Sequence, residues 1–402
     1  MIDLSDVEAA RDRVAETARH TPLEYSHTFS EMTGAEVHLK LETFQRTGAF
    51  KIRGATNRIA TLDEEQRDAG VVTASAGNHA QGVALAASRM DVDATVVMPE
   101  DAPIAKVKAT RSYGAEVVLH GVDYDQAEAR AHEIEREEGR YYLHAFDDPE
   151  VIAGQGTLGL EIAEDLPGVE TVVVPIGGGG LISGIATAIK ERNPEARVVG
   201  VQAEGAASVA DSLEQGQRVA RDAVDTVADG IATRTVGELP FEIIRERVDE
   251  VVTVTDDEIA VALTLLLERN KTLVEGAGAV PLAALLSGAI EYDDGETVVP
   301  TLCGGNIDMN TLTTVIVRGL VQTGRYLRLR TVLEDRPGAL EELTETISGH
   351  RANIYAIQHD RTSRNVAMND AEVELDLETR GHEHVETLVA ALEDCGYPVE
   401  IL

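Results

Sequence analysis

Short β-branched apolar runs, each followed by an amphipathic stretch, recur along most of the chain. "GVVTAS" (70–75) precedes "NHAQGVALAASRM", "ATVVMP" (94–99) precedes "APIAKVKATRSYG", and "AEVVLH" (115–120) precedes "DYDQAEARAHEIEREE". "TVVVPI" (171–176) runs through glycines into "LISGIATAIKER", and "RVVGVQAE" (197–204) follows. Strands with no polar alternation are buried on both faces, so this pattern predicts an α/β fold with a mostly parallel sheet covered by helices. Ser5-x-x-Glu8 has capping-box form and predicts a helix at the start.

Near residue 325 the rhythm changes. "RYLRLRTVLE", "PGALEELTETISGH", "ANIYAIQHD", "NVAMNDAEVELDLET", "HEHVETLVAALEDCG" and "YPVEIL" read as β-α-β-β-α-β. This is a split βαβ unit, expected over 326–402. The preceding 1–322 are expected to form a larger domain, with a smaller subdomain at about 52–150 inserted in it.

With 402 residues the chain can bury a large core without disulfides. Its two cysteines, Cys303 and Cys395, are too few for a disulfide framework and too distant for a CxxC site, as expected in a reducing cytoplasm. The charged first residues do not read as a signal peptide. The longest nearly apolar run, "AGAVPLAALLSGAI", is shorter than a bilayer span, so no membrane association is expected. A formal charge of −36 argues against nucleic acid as a partner.

Three strand-to-helix junctions carry chemistry. In "VVVPIGGGGLISG", Gly177, Gly178, Gly179 and Gly180 join a buried strand to a helix. Backbone N–H groups and the positive end of the helix dipole make such a place a phosphate cradle. The run matches neither GxGxxG nor GxxxxGK[ST], which disfavours a dinucleotide or P-loop reading. "TASAGNHAQG" supplies Ser75, Gly77 and Asn78 where parallel sheets bind ligands, although Asn78 could serve only as a helix cap. "VVPTLCGGNIDMN" delivers Cys303 to a Gly-Gly turn, a position equally open to an inert buried thiol. Lys51, one of only six lysines, stands behind Gly-Ala-Phe, where a solvated charge gains nothing.

Together "LKLETFQRTGAFKIRGA", "SAGNHAQG", "PIGGGGLISG", "VEGAGA" and "LCGGNID" resemble the threonine dehydratases, of the serine/threonine dehydratase group of fold-type-II pyridoxal-phosphate enzymes. "EDRPGALEEL" and "ANIYAI" resemble an ACT domain. The first resemblance implies a tryptophan-synthase-β-like catalytic domain that uses pyridoxal 5'-phosphate to deaminate L-threonine, and also L-serine. Lys51 would hold the cofactor as a Schiff base and shuttle the Cα proton. Phe50 would lie against the ring, Asn78 would bond its phenolic oxygen, Gly177 to Gly180 would hold the phosphate, and Cys303 would face the pyridine nitrogen. Ser75, Gly77, Asn78 and His79 would receive the substrate carboxylate.

The ACT resemblance implies an effector, isoleucine or valine, near Asp335, Gly338 and Asn353, or else a module used only for association. A homodimer or homotetramer acting in isoleucine biosynthesis is expected. A racemase of the same fold is the nearest alternative. Racemases of the group have a serine before Gly-Asn-His, where this chain has Ala76. They also bind a cation through an acidic cluster. Glu204 fits its first ligand, but "GAASVA" (205–210) has no carboxylate for the next, so no metal is expected. A cysteine synthase fits "TGAFKIRGA" and "LCGGN" poorly, and a non-catalytic amino-acid sensor would have no reason to keep Lys51.

The charge also bears on conditions. Six lysines against seventy-one acidic residues point to a halophilic cytoplasm, because such a charge self-repels unless salt screens it. The Debye length is about 3 Å at molar salt and about 30 Å at 10 mM. Circular dichroism after dialysis into low salt should show loss of structure, and full activity retained there would contradict the reading.

Overall fold

The computed structural model describes residues 1–362 and 367–402, which divide into two compact units, Met1–Met309 and Asn310–Leu402. The first unit holds two sheets. The larger has the order Leu23–Tyr25, Glu36–Leu41, Thr297–Leu302, Thr171–Pro175, Arg197–Ala203 and Glu250–Val254. Only its first pairing is antiparallel. The smaller sheet, Glu116–Leu119, Ala94–Met98, Val71–Ala74 and Tyr141–Tyr142, is wholly parallel. Strands Val71–Ala74, Ala94–Met98 and Thr171–Pro175 are buried at every residue, as their unbroken apolar character predicts. The apolar run near residue 280 is a buried core helix, Gly276–Leu286. No described helix is long and apolar enough to cross a membrane.

The second unit carries an antiparallel sheet in the order Asn353–Asp360, Asp370–Glu378, Tyr326–Glu334 and Glu400–Ile401. Helices Ala339–Gly349 and His382–Asp394 complete the expected β-α-β-β-α-β sequence. Part of "NVAMNDAEVELDLET" lies outside the described residues, and its described strand begins at Asp370. The last strand is shorter than "YPVEIL" suggested.

The first helix, Leu4–Val14, is capped by Asp3 rather than Ser5. The Asp3 carboxylate accepts from the N–H groups of Ser5 and Asp6 at 2.8 and 3.2 Å, and the Ser5 hydroxyl donates to the same oxygen. A carboxylate at the N-cap also meets the positive end of the helix dipole, so it prevails over the hydroxyl two residues on.

Helix Pro149–Asp165 packs on helices Ile52–Ala60 and Gly180–Arg192 at backbone distance. A Cβ on Gly184 would lie 2.4 Å from the Ile152 carbonyl oxygen, and one on Gly154 would lie 2.7 Å from that of Arg53. Beside this contact sits a buried ion cluster. Arg53, 1% exposed, donates to both oxygens of Glu42 at 2.8 Å and to both of Glu161 at 2.6 and 3.0 Å. It also reaches the Thr157 hydroxyl and the Arg19 carbonyl. Buried Lys40 joins Glu161 at 2.8 Å and the Thr21 carbonyl at 2.8 Å.

Removing one member of such a cluster strands its partners without water, at a cost of about 3–5 kcal/mol. Arg53→Ala should therefore lower unfolding stability by about that amount, and the concerted replacement of Arg53, Glu42, Glu161 and Lys40 by apolar residues should restore most of it. Denaturant titration at high salt reads both, and a loss below about 1 kcal/mol for Arg53→Ala would contradict the account.

Candidate active site

Lys51 is placed by a short pairing between two distant segments. Ala49 bridges Gly304 in antiparallel fashion, Phe50 N–H donates to the Cys303 carbonyl at 3.1 Å, and Gly305 N–H donates to the Gly48 carbonyl at 2.9 Å. "TGAF" is thus clamped against "CGG" at the C-terminal end of strand Thr297–Leu302. Gly48 has φ +73°, and a Cβ there would meet Asn306 Oδ1 at 2.5 Å, so only glycine fits. Lys51 follows as the residue that opens helix Ile52–Ala60. Its Nζ donates to the Ala145 carbonyl at 2.9 Å and lies 5.2 Å from the centre of the Phe50 ring. Burial pulls its pKa down to about 8, only partly opposed by Cys303 and Glu275.

The glycine run lies at the start of helix Gly180–Arg192, whose first N–H groups have no partner within the helix. Its lack of side chains also serves packing. A Cβ on Gly178 would lie 2.3 Å from the Phe146 ring, and Gly179 has φ +91° with Pro240 close by. The Phe146 ring against the glycine run is a contact the sequence does not announce.

In the second junction, the Ser75 hydroxyl accepts from Gly77 N–H at 3.1 Å. Asn78 opens helix Asn78–Arg89 and, with Gly77 at the cap position, does not act as a side-chain cap. Its Oδ1 accepts from Asn306 Nδ2 at 2.8 Å, and its Nδ2 donates to Glu275 Oε1 at 2.7 Å. His79 Nε2 faces the Leu143 carbonyl at 3.1 Å, and burial, then the charge of Lys51, press its pKa down to about 3. A neutral imidazole so engaged is no cationic anchor. Whatever this loop offers a carboxylate comes from hydroxyl and backbone N–H groups. Burial, reinforced by Glu275, holds the Cys303 thiol well above its ordinary pKa, so it stays protonated.

These residues line one cavity of about 640 Å³. Phe50, Lys51, Ser75, Gly77, Asn78, His79, Gly177, Gly178, Gly179, Gly180 and Cys303 all border it. It lies between the two sheets of the first unit, beyond the carboxyl ends of their strands, where open α/β sheets bind ligands. Glu275, Phe146, His144 and Asp229 border it too and were not singled out from the sequence. The signal for Glu275 was present in "VEGAGA", an acid set among small residues. Burial, then the nearby Asp229, pushes its carboxyl up to about 7, against the opposing bond from Asn78.

Of the residues expected near an effector, Asn353 borders a surface depression whose lining does not include Asp335 or Gly338. Asp335 pairs with Arg361 at 3.0 Å, and Gly338, at φ +93°, precedes helix Ala339–Gly349. Asn353 donates to Glu378 at 2.9 Å and lines a shallow depression with Glu341, Thr344, Glu345 and Ser348. The Glu204 carbonyl accepts from Arg221 at 2.9 Å, and the same guanidinium pairs with Asp211 at 2.8 Å. No cluster of three or more metal-ligating side chains occurs among the described residues.

Residues 14–304 match the family described as "Pyridoxal-phosphate dependent enzyme", and residues 324–396 match the ACT domain. An L-threonine ammonia-lyase of Geobacter sulfurreducens is 50% identical over 402 residues, covering 100% of both chains. Among solved structures, threonine deaminase isoform 2 of Solanum lycopersicum superposes with a TM-score of 0.75 at 40% identity, covering 78% of this chain and 86% of that one. Maize serine racemase superposes with a TM-score of 0.74 at 36% identity, covering 79% and 98%. A helix N-terminus with its glycine run and a partly buried lysine in one cavity are features such a cofactor requires. The chain belongs to the pyridoxal-phosphate dependent enzyme family and carries an ACT domain in its C-terminal part.

Proposed function

We propose that the protein is a threonine ammonia-lyase, converting L-threonine to 2-oxobutanoate and ammonia and L-serine to pyruvate and ammonia. The observation that carries this reading is a partly buried lysine, its pKa lowered to about 8, in one cavity with a glycine run at a helix N-terminus. Full-length similarity to an L-threonine ammonia-lyase supports the choice of substrate.

Lys51 would hold the cofactor, Phe50 would pack on it, and Gly177 to Gly180 would bind its phosphate through backbone N–H groups. When bound, pyridoxal phosphate withdraws electrons from the bonds at the substrate's Cα. The Lys51 amine, about half neutral near pH 8 where an ordinary lysine stays charged, takes the Cα proton at Nζ. The Ala145 carbonyl holds that amine in place before the cofactor binds. Cys303, a protonated thiol, cannot keep a pyridine nitrogen charged as a carboxylate would. That favours prompt loss of the β-hydroxyl over a long-lived carbanion. Ser75 and the N–H groups from Gly77 to His79 would receive the substrate carboxylate.

Racemisation requires a second proton carrier on the face opposite the lysine. The methyl group of Ala76, at the position where the group's racemases carry a serine, donates nothing. We read the ACT domain as the seat of feedback by isoleucine or valine, placed around Asp335, Gly338 and Asn353. Association as a homodimer or homotetramer, and work in a salt-rich cytoplasm at the head of isoleucine synthesis, complete the proposal.

Lys51→Ala should lower 2-oxobutanoate formation from threonine by on the order of 10³-fold or more. Wild-type turnover in that variant would end the assignment. Borohydride trapping of cofactor on Lys51 in the apo-protein should rise with pH through about 8, because the neutral amine is the nucleophile. A midpoint near an ordinary lysine's, about 10.4, would mean that burial does not tune it.

A further inference from the structure

The Asn78 amide is held from both sides. Asn306 Nδ2 donates to the Thr47 carbonyl at 2.7 Å and to Asn78 Oδ1 at 2.8 Å, which uses both of its hydrogens. A backbone carbonyl can only accept, so Thr47 decides which end of the Asn306 amide faces it. That end in turn requires an acceptor from Asn78, and the Asn78 NH₂ is left facing Glu275 Oε1 at 2.7 Å. Glu275 occupies the cap position of helix Gly276–Leu286, yet its side chain makes no capping bond and turns into the cavity instead. It lies flat on the turn after Cys303, because a Cβ on Gly304 would come within 2.3 Å of its Oε1. One Nδ2 hydrogen of Asn78 is therefore spent on Glu275, and the other remains for the cavity that Asn78 lines.

We propose that Glu275 is a positioning residue which, with Asn306, locks the Asn78 amide so that one Nδ2–H is presented to the phenolic oxygen of bound pyridoxal phosphate. This rests on reading the cavity as the cofactor site with Asn78 as that oxygen's partner. Glu275 supplies an acceptor that no neutral donor can replace. Without it only the Asn306 bond still opposes a turn of the amide that would point its oxygen towards the cofactor, where it would meet another acceptor. The cofactor's electronic state, and not only its turnover, depends on which end of the amide it meets.

The test uses the visible absorption of the cofactor-loaded full chain and the dissociation constant for pyridoxal phosphate, in Asn78→Ala, Glu275→Ala, Asn306→Ala, Glu275→Gln and the Asn78→Ala/Glu275→Ala double variant. Glu275→Ala and Asn306→Ala should each move the band in the direction that Asn78→Ala moves it and weaken cofactor binding about tenfold. The double variant should match Asn78→Ala alone, because Glu275 acts through Asn78. Glu275→Gln, which keeps a carbonyl acceptor, should stay near wild type. Multiplying effects in the double variant, or a band moved by Asn78→Ala but by neither Glu275→Ala nor Asn306→Ala, would overturn the proposal. If Asn78→Ala moves neither band nor affinity, the assignment of Asn78 itself falls, and the role of Glu275 with it. Circular dichroism separates these outcomes from misfolding, and Asn306→Ala tests the other half of the clamp should Glu275→Ala not fold.

Discussion

The Arg53 ion cluster is the constraint on which the site depends. Arg53 stands two residues after Lys51, and its guanidinium binds Glu42, just after strand Glu36–Leu41, and Glu161 on helix Pro149–Asp165. Burying such charges yields little net stability, and apolar residues of similar volume in place of the whole cluster, Lys40 included, would serve the core as well. The cluster instead fixes geometry. Four guanidinium bonds to two carboxylates admit one orientation, which sets the start of helix Ile52–Ala60 and hence the direction of Lys51.

Around that lysine the site is built mostly from groups kept neutral. Burial lowers the lysine, lowers His79 and raises Cys303, in each case disfavouring the charged form. The cavity is bordered by charged groups as well, Asp125, Glu128, Asp147, Asp229 and Glu275 with Arg218 and Arg234. The start of helix Gly180–Arg192, where the helix dipole and free N–H groups favour an anion, is the part of its lining suited to a phosphate.

Much of this was legible in the sequence because the signals are local. Unbroken apolar strands announce a parallel sheet, and four glycines between a strand and a helix announce a backbone approach. The terminal β-α-β-β-α-β order follows from periodicity alone. What escaped was long-range. Asp3 prevailed over Ser5 at the first cap by a difference of geometry and charge that spacing does not encode. Phe146 against the glycine run, and Glu275 against Asn78, join residues far apart in the chain, and "VEGAGA" by itself does not say what its acid touches. His79 was read as part of a carboxylate-binding loop, yet its ring faces the Leu143 carbonyl, a partner that only the small sheet brings near.

The sequence by itself determined the fold class and marked the strand-to-helix junctions and the lysine that come together at one cavity, because hydrophobic period, glycine runs and motif order are properties of neighbouring residues. The tertiary structure alone decided how the amine is aimed, which end of the Asn78 amide faces the cavity, and which side chains are neutral. Those depend on the distance between groups that the chain separates by 64 to 228 residues, and on the water excluded when they meet.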